Sequence, residues 1–238
     1  MTGVIPAVFR RASTGGMTTT TTLASLATTH PAASRVFRRT GLDYCCGGAQ
    51  SLAEACVSRG LNPDEILSAI AAEEATVDLR RWDTAPLEEL VDFIIYRYHD
   101  SLRDELPALI ALADRVERRH AATPGCPTGL RDLLECMQER IIEHLEKEER
   151  VLFPQILGHC PGLGTPVHVL VEEHEEHGRS LNSLRLYTNG FTPPPHACTT
   201  WKALYLRLGT LETDLMQHIH LENNVLFKRA LQGRESRS

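Results

Sequence analysis

Two stretches of this chain carry the same chemistry. His144-Leu-Glu-Lys-Glu148-Glu-Arg-Val151-Leu152-Phe153 and His218-Ile-His-Leu-Glu222-Asn-Asn-Val225-Leu226-Phe227 align without a gap as His-x-x-x-Glu-x-x-Val-Leu-Phe. A further histidine precedes each one. The interval from His99 to His144 differs by a single residue from the interval between His174 and His218. Residues four apart on a helix share a face, so each repeated pair brings an imidazole nitrogen and a carboxylate oxygen to one centre. Two pairs and two further histidines, related by repetition, suit two metal ions held between the halves of a helix bundle. The candidate ligands are therefore His99, His144, Glu148, His174, His218 and Glu222.

Helical phase tests the set independently. At about 100° per residue, His144 and Glu148 fall inside the apolar stripe Leu130, Leu133, Met137, Ile141 and Val151. His218 and Glu222 fall among Leu204, Leu208, Leu211, Leu215 and Val225, and His174 centres Val167, Leu170, Val171 and Leu181. Two carboxylates at the cores of facing helices are costly to bury without a cation. The same spacing at His168 and Glu172 points away from its stripe and reads as solvated. His220 lies about 200° around from His218 and is expected to face outward. His177 sits at a stripe edge and stays unassigned. His120 shares the seam of His99, but a continuous helix places it roughly 31 Å away, at about 1.5 Å per residue, so it belongs near the bundle's end. An imidazole and carboxylate shell suits Fe, Mn or Zn better than Mg or Ca.

The elements that must position these groups are legible around them. Four long amphipathic segments, about 87–120, 129–157, 166–189 and 197–231, are separated by Pro- and Gly-containing breaks, which predicts an all-α, up-down-up-down four-helix bundle. In the first, Ile95, His99, Leu102, Leu106, Leu109, Ala113 and Val116 form one seam, with Pro107 a candidate kink. A small helical unit precedes the bundle, and Asn62-Pro63-Asp64-Glu65 reads as a helix start. The expected division is an N-terminal extension over 1–22, a small domain over 23–77, a linker over 78–86, the bundle over 87–232 and a tail over 233–238. Lys and Arg total 25 against 31 Asp and Glu, a net charge of -6 that argues against general nucleic-acid binding. No apolar run approaches the ~20 residues of a membrane span.

Seven cysteines on a chain of 238 residues fit a reducing compartment better than a disulfide scaffold. Residues 1–42 hold arginines but no acid, a weak likeness to a transit peptide; a cytoplasmic location is the expectation. Cys45 and Cys46 are adjacent, and a disulfide between neighbours strains both the peptide and the bridge. They read either as thiols for transient iron or nitrosyl-iron binding and thiol exchange, or as buried packing cysteines. Gly47-Gly48 favours the former by leaving the pair on a turn. Cys56 is a candidate third participant, and the remaining cysteines read as structural.

Further motifs surround these residues: Asp43-Tyr44-Cys45-Cys46-Gly47-Gly48, Arg97-Tyr98-His99-Asp100, Lys147-Glu148-Glu149, Glu173-His174, Cys198-Thr199-Thr200-Trp201-Lys202 and Leu221-Glu222-Asn223-Asn224. With them the chain from about 23 to 232 resembles the iron-sulfur cluster repair di-iron proteins, the RIC, YtfE and ScdA group, whose C-terminal domain is hemerythrin-like. The resemblance implies a non-haem, carboxylate-bridged centre of two Fe ions. His99, His144, His174 and His218 would be terminal ligands, and Glu148 and Glu222 bridges. It implies repair of clusters damaged by nitric oxide or oxidative stress, with damaged iron-sulfur proteins as partners and NO or O2 as small ligands, and an iron-donating rather than a turnover role. Homodimer formation is left open. Two other readings start from the same centre: an O2-binding or O2-sensing module, and an enzyme reducing NO to N2O.

Overall fold

In the computed structural model the described residues are 17–74 and 81–235. Residues 1–16 of the expected extension, the end of the small domain with the start of the linker, and the end of the tail lie outside them. Among the described residues the only regular structure is helical, beside one isolated bridge between Thr22 and Ser51. No helix among them is long and apolar enough to cross a membrane.

The N-terminal unit contains α1 (Leu23–Thr29), α2 (Ala32–Thr40), α3 (Leu52–Val57) and α4 (Pro63–Glu74). Short polar side chains start three of them. Thr22 accepts from the Ser25 N–H, Ser51 and Glu54 form a reciprocal capping box, and Asn62 Oδ1 accepts from the Asp64 N–H at 3.0 Å. Residues 17–22, assigned to the extension from sequence, instead belong to this unit. The Thr21 and Thr19 carbonyls accept from the N–H groups of Leu52 and Ala53 at 2.9 and 2.8 Å. A threonine run looks featureless in sequence, yet its backbone pairs with the start of α3 and satisfies orphan donors there. Leu23, Leu26, Phe37, Tyr44, Leu52, Cys56 and Ile70 fill the unit's core.

The first bundle helix runs through α5 (Leu87–Ile94), a π-turn π1 (Ile95–His99) and α6 (Asp100–His120), passing Pro107 without a break. The second is α7 (Leu130–Lys147), π2 (Glu148–Leu152) and α8 (Phe153–Leu157). The third is α9 (Gly164–Tyr187), and the fourth is α10 (Thr199–His220), π3 (Leu221–Leu226) and α11 (Phe227–Glu235). Packing of α6 on α7 and α10, and of α9 on α7 and α10, closes the four-helix ring. This is the expected all-α bundle.

Periodicity alone does not show the π-turns, and they change the phase. At π1 the Asp100 N–H reaches back five residues to Ile95 O; at π2 Phe153 reaches Glu148 O; at π3 Phe227 reaches Glu222 O. Each turn takes in an extra residue and rotates the helix beyond it. Hence Val151, expected in the stripe, is 49% exposed, while Leu152, Phe153 and Ile156 are buried. Similarly Ile94 rather than Ile95 is fully buried ahead of His99. In α7 it is Leu134 that lies in the core, with the expected Leu133 packed against its edge.

Candidate metal centre

All six expected ligands are buried and converge. They form two overlapping sets: His99, His218, Glu148 and Glu222 on one side, and His144, His174, Glu148 and Glu222 on the other. Both carboxylates belong to both sets, as bridging groups would. His99 Nε2 lies 3.0 Å from His218 Nε2, and His174 Nε2 lies 2.9 Å from His144 Nε2. Two nitrogens at right angles on one ion, each about 2.1 Å away, would be about 3.0 Å apart. Glu222 Oε1 is 2.8 Å from His218 Nε2, and its other oxygen is 3.2 Å from His174 Nε2. Glu148 Oε2 stands 3.5 Å from both His99 Nε2 and His144 Nε2. Neither Glu148 oxygen finds a hydrogen-bond partner.

Orphaned buried carboxylate oxygens are rare and costly. Burial first, and then the neighbouring Glu222 charge, push the Glu148 carboxyl well above the usual range. Burial also opposes ionisation of Glu222, but His218, His174 and His99 outweigh it and hold that carboxyl well below the range. Burial lowers His144 to about 4 and also lowers His218, so these imidazoles are neutral donors. Neutral nitrogens around converging carboxylates are the donor set a divalent nitrogen- and oxygen-binding cation requires. The residues fit such ions.

A second layer of contacts aims the rings. His99 Nδ1 meets Glu149 at 2.7 Å, His174 Nδ1 meets Asn223 at 2.8 Å, and His144 Nδ1 meets Glu173 at 2.8 Å. Arg103 and Lys147 in turn hold Glu149 and Glu173. The His144 imidazole, opposed by burial and helped by Lys147, draws Glu173 down to about 2. Phe153 stacks on His99 with ring centroids 5.7 Å apart, and Phe227 on His174 at 6.0 Å. Sequence reasoning assigned no role to these residues, though the repeat contained the signal. Glu149 and Asn223 come directly after Glu148 and Glu222, the two glutamates shared by both sets, and the two phenylalanines end the two repeats. The π-turns bring each of them against a histidine of another helix.

The remaining candidates separate clearly. His168 and Glu172 are exposed, as expected. His120 is remote from the centre, with Nε2 3.2 Å from Cys198 Sγ and its ring 5.2 Å from Trp201. His177 is buried against His144, and burial lowers it to about 2; its Nε2 has no partner. His220 contradicts its expected outward exposure. It does turn away from the centre, yet it is only 1% exposed, because α1 packs on π3 and Tyr44 meets its ring edge-on at 5.3 Å. An unpaired helix would have shown it to solvent; the N-terminal unit covers it.

That docking also brings the cysteines close. Cys45 and Cys46 are free thiols 3.8 Å apart, Cys45 buried and Cys46 half-buried. Asp43 Oδ1 accepts from both of their backbone N–H groups. Hydrogen bonding to Cys46, then burial, raises the Cys45 thiol well above its ordinary range. Gly48 is required here, since a Cβ would lie 2.5 Å from Tyr44 O and 2.9 Å from Ala24 Cβ. Cys46 Sγ sits 3.6 Å from the carbonyl oxygen of His174, over Gly178, where a Cβ would come within 3.3 Å of the sulfur. Cys56 does not join the pair; it is buried in the core of the N-terminal unit.

Known sequences agree with this architecture. Residues 91–230 match the model of the hemerythrin HHE cation binding domain, and residues 19–74 match ScdA_N, described as a domain of unknown function. The iron-sulfur cluster repair protein YtfE of Cronobacter sakazakii is 48% identical over 215 residues, covering 89% of this chain and 96% of the relative. The chain belongs to the YtfE family. The YtfE of Escherichia coli O1:K1 / APEC is 46% identical over the same shares of both chains. Membership in the YtfE family brings a cation-binding bundle, and the two buried sets of histidine and glutamate are where this chain offers one.

Proposed function

We propose that this protein repairs iron-sulfur clusters damaged by nitric oxide or oxidative stress, working from a pair of non-haem iron ions. The observation that carries the reading is the pair of overlapping ligand sets sharing Glu148 and Glu222 in a chain 48% identical to a named repair protein. His99, His218, His144 and His174 would be the terminal ligands, and Glu148 and Glu222 would be shared between the two ions. Ferrous ions held there would supply iron for a damaged cluster and would bind NO or O2. Imidazole and carboxylate ligands hold iron less tightly than a closed thiolate site would, which suits release. Glu149, Glu173 and Asn223 fix ring orientation and basicity, while Phe153 and Phe227 exclude water from two of the rings. Cys45 and Cys46, the latter 3.6 Å from the His174 carbonyl oxygen, serve as the exchange thiols. Damaged cluster proteins of the cytoplasm are the partners.

The test is metal analysis with Mössbauer spectroscopy, followed by rescue of an NO-damaged cluster enzyme. The iron-loaded protein restores activity, and His144→Ala loses both iron and rescue. Full rescue by a metal-free His144→Ala protein would sink the reading. An O2-binding role predicts instead a long-lived oxygenated spectrum without transfer.

A further inference from the structure

The cysteine pair opens into a cavity of about 280 Å³ between the N-terminal unit and α9. Arg38, Arg59, Arg179 and Arg185 line it, against Asp43, Glu175 and Glu212. The acids have partners to different degrees. Both Glu212 oxygens are held by Arg185 at 2.5 Å, Asp43 Oδ1 accepts from the cysteine turn, and Glu175 makes a surface pair with Arg179 at 4.0 Å. Arg38 and Arg59 are different, for neither guanidinium has a hydrogen bond or an ion pair among the described residues. Arg59 is exposed and rests against a glycine. Its guanidinium lies over Gly41, at φ 72°, where a Cβ would stand 2.8 Å from Arg59 Nη1. Two unspent guanidiniums therefore flank two thiols in an otherwise acidic protein of net charge -6.

Free guanidiniums at the mouth of a cavity recognise carboxylates, often with two parallel bonds. Cys46, the less buried thiol, is the sulfur that the cavity presents. We propose that this cavity binds small thiol compounds carrying carboxylates, together with their disulfides, and that Arg38 and Arg59 determine that specificity. A cavity of this size accommodates a small molecule. With a disulfide the step is an exchange. The Cys46 proton leaves to water, its sulfur attacks, the ligand's S–S bond breaks and a mixed disulfide forms. The other half of the ligand departs as a thiolate, so the disulfide is the oxidant and the cysteine is oxidised. The inference rests on the reading of Cys45 and Cys46 as exchange thiols.

The experiment measures exchange rates at Cys46 in the full, iron-loaded chain, with the modified residue identified by mass spectrometry. The probes are dithiodipropionate, which is anionic, and bis(2-hydroxyethyl) disulfide, which is neutral. The urea-unfolded chain gives the intrinsic ratio of the two rates. The folded protein is expected to favour the anionic probe by about tenfold over that ratio, the low end of electrostatic steering. The double variant Arg38→Gln with Arg59→Gln should fall to the unfolded ratio, and the corresponding lysine variants should recover part of it. A folded ratio equal to the unfolded one, or a ratio unmoved in the glutamine variant, overturns the inference. Cluster rescue measured in parallel on the unsubstituted protein tests the repair reading separately, so the two failures are distinguishable.

Discussion

Glu173 and Tyr98 stand at equivalent places in the two halves of the bundle, each one residue before a histidine of the buried sets, yet they do opposite things. Glu173 receives His144 Nδ1 at 2.8 Å, whereas Tyr98 lies flat on His218, 5.4 Å between ring centroids and 11° between planes. His218 Nδ1 is left without a partner. The two subsites are thus inequivalent. His144 and His174 both have an orienting acceptor, while only His99 has one on the other side.

Metal should therefore load the His144 and His174 subsite first. Losing an outer partner of a metal-bound imidazole typically costs about 10- to 100-fold in affinity. Glu173→Ala is expected to weaken the tighter of two steps by that factor in an anaerobic titration with Co(II), leaving the weaker step in place. Unchanged binding at both steps would contradict the assignment.

The π-turns should be as necessary as the ligands. Arg150 is exposed within π2 and makes only a surface contact with Glu146. Deleting it lets π2 close as an ordinary helical turn, with Leu152 and Phe153 still facing the core, and re-aims Glu148 and Glu149 within the shortened turn. The expected outcome is loss of metal with the far-ultraviolet helical signal retained. An alanine at Phe227, which is 1% exposed, should cost about 3–5 kcal/mol in urea unfolding.

His220 sets an acid limit on stability. Burial lowers it to about 4 from an ordinary 6.5. The unfolded chain therefore binds a proton that the folded chain refuses, and stability present above pH 6.5 is lost as pH falls toward about 4. The slope from this one group is up to about 1.4 kcal/mol per pH unit. His220→Phe, which keeps a ring against Tyr44, should flatten the acid side of a stability profile measured by urea unfolding.

The thiols should be separable from metal retention. Replacing Cys45 and Cys46 together by alanine is expected to leave the iron content intact and to weaken cluster rescue. Loss of iron in that variant would move the ligand set.

Much of the site is readable from residue order alone. The gapless repeat of His-x-x-x-Glu puts Glu148 and Glu222 on facing helices, because helical periodicity is local and a buried acid is conspicuous. A constant angle per residue cannot reveal the extra residue in each π-turn, so it misplaces Val151 and misses Leu152. Nor can the pattern of one helix report what a separate unit lays over it, which is why His220 looks exposed in sequence. The threonines at 18–22 escape for a related reason, since their carbonyls serve as acceptors for α3 and polarity alone does not advertise that.

One hydrogen atom at position 178 has a consequence for how the molecule can be taken apart. Because Gly178 offers no methyl group, a sulfur from the front of the chain rests on the carbonyl of the residue whose imidazole faces the carboxylates. The cysteine pair and the buried histidine and glutamate sets thus meet across a single peptide group. Purified halves mixed in a tube would have to rebuild that junction before they could stand in for the intact chain.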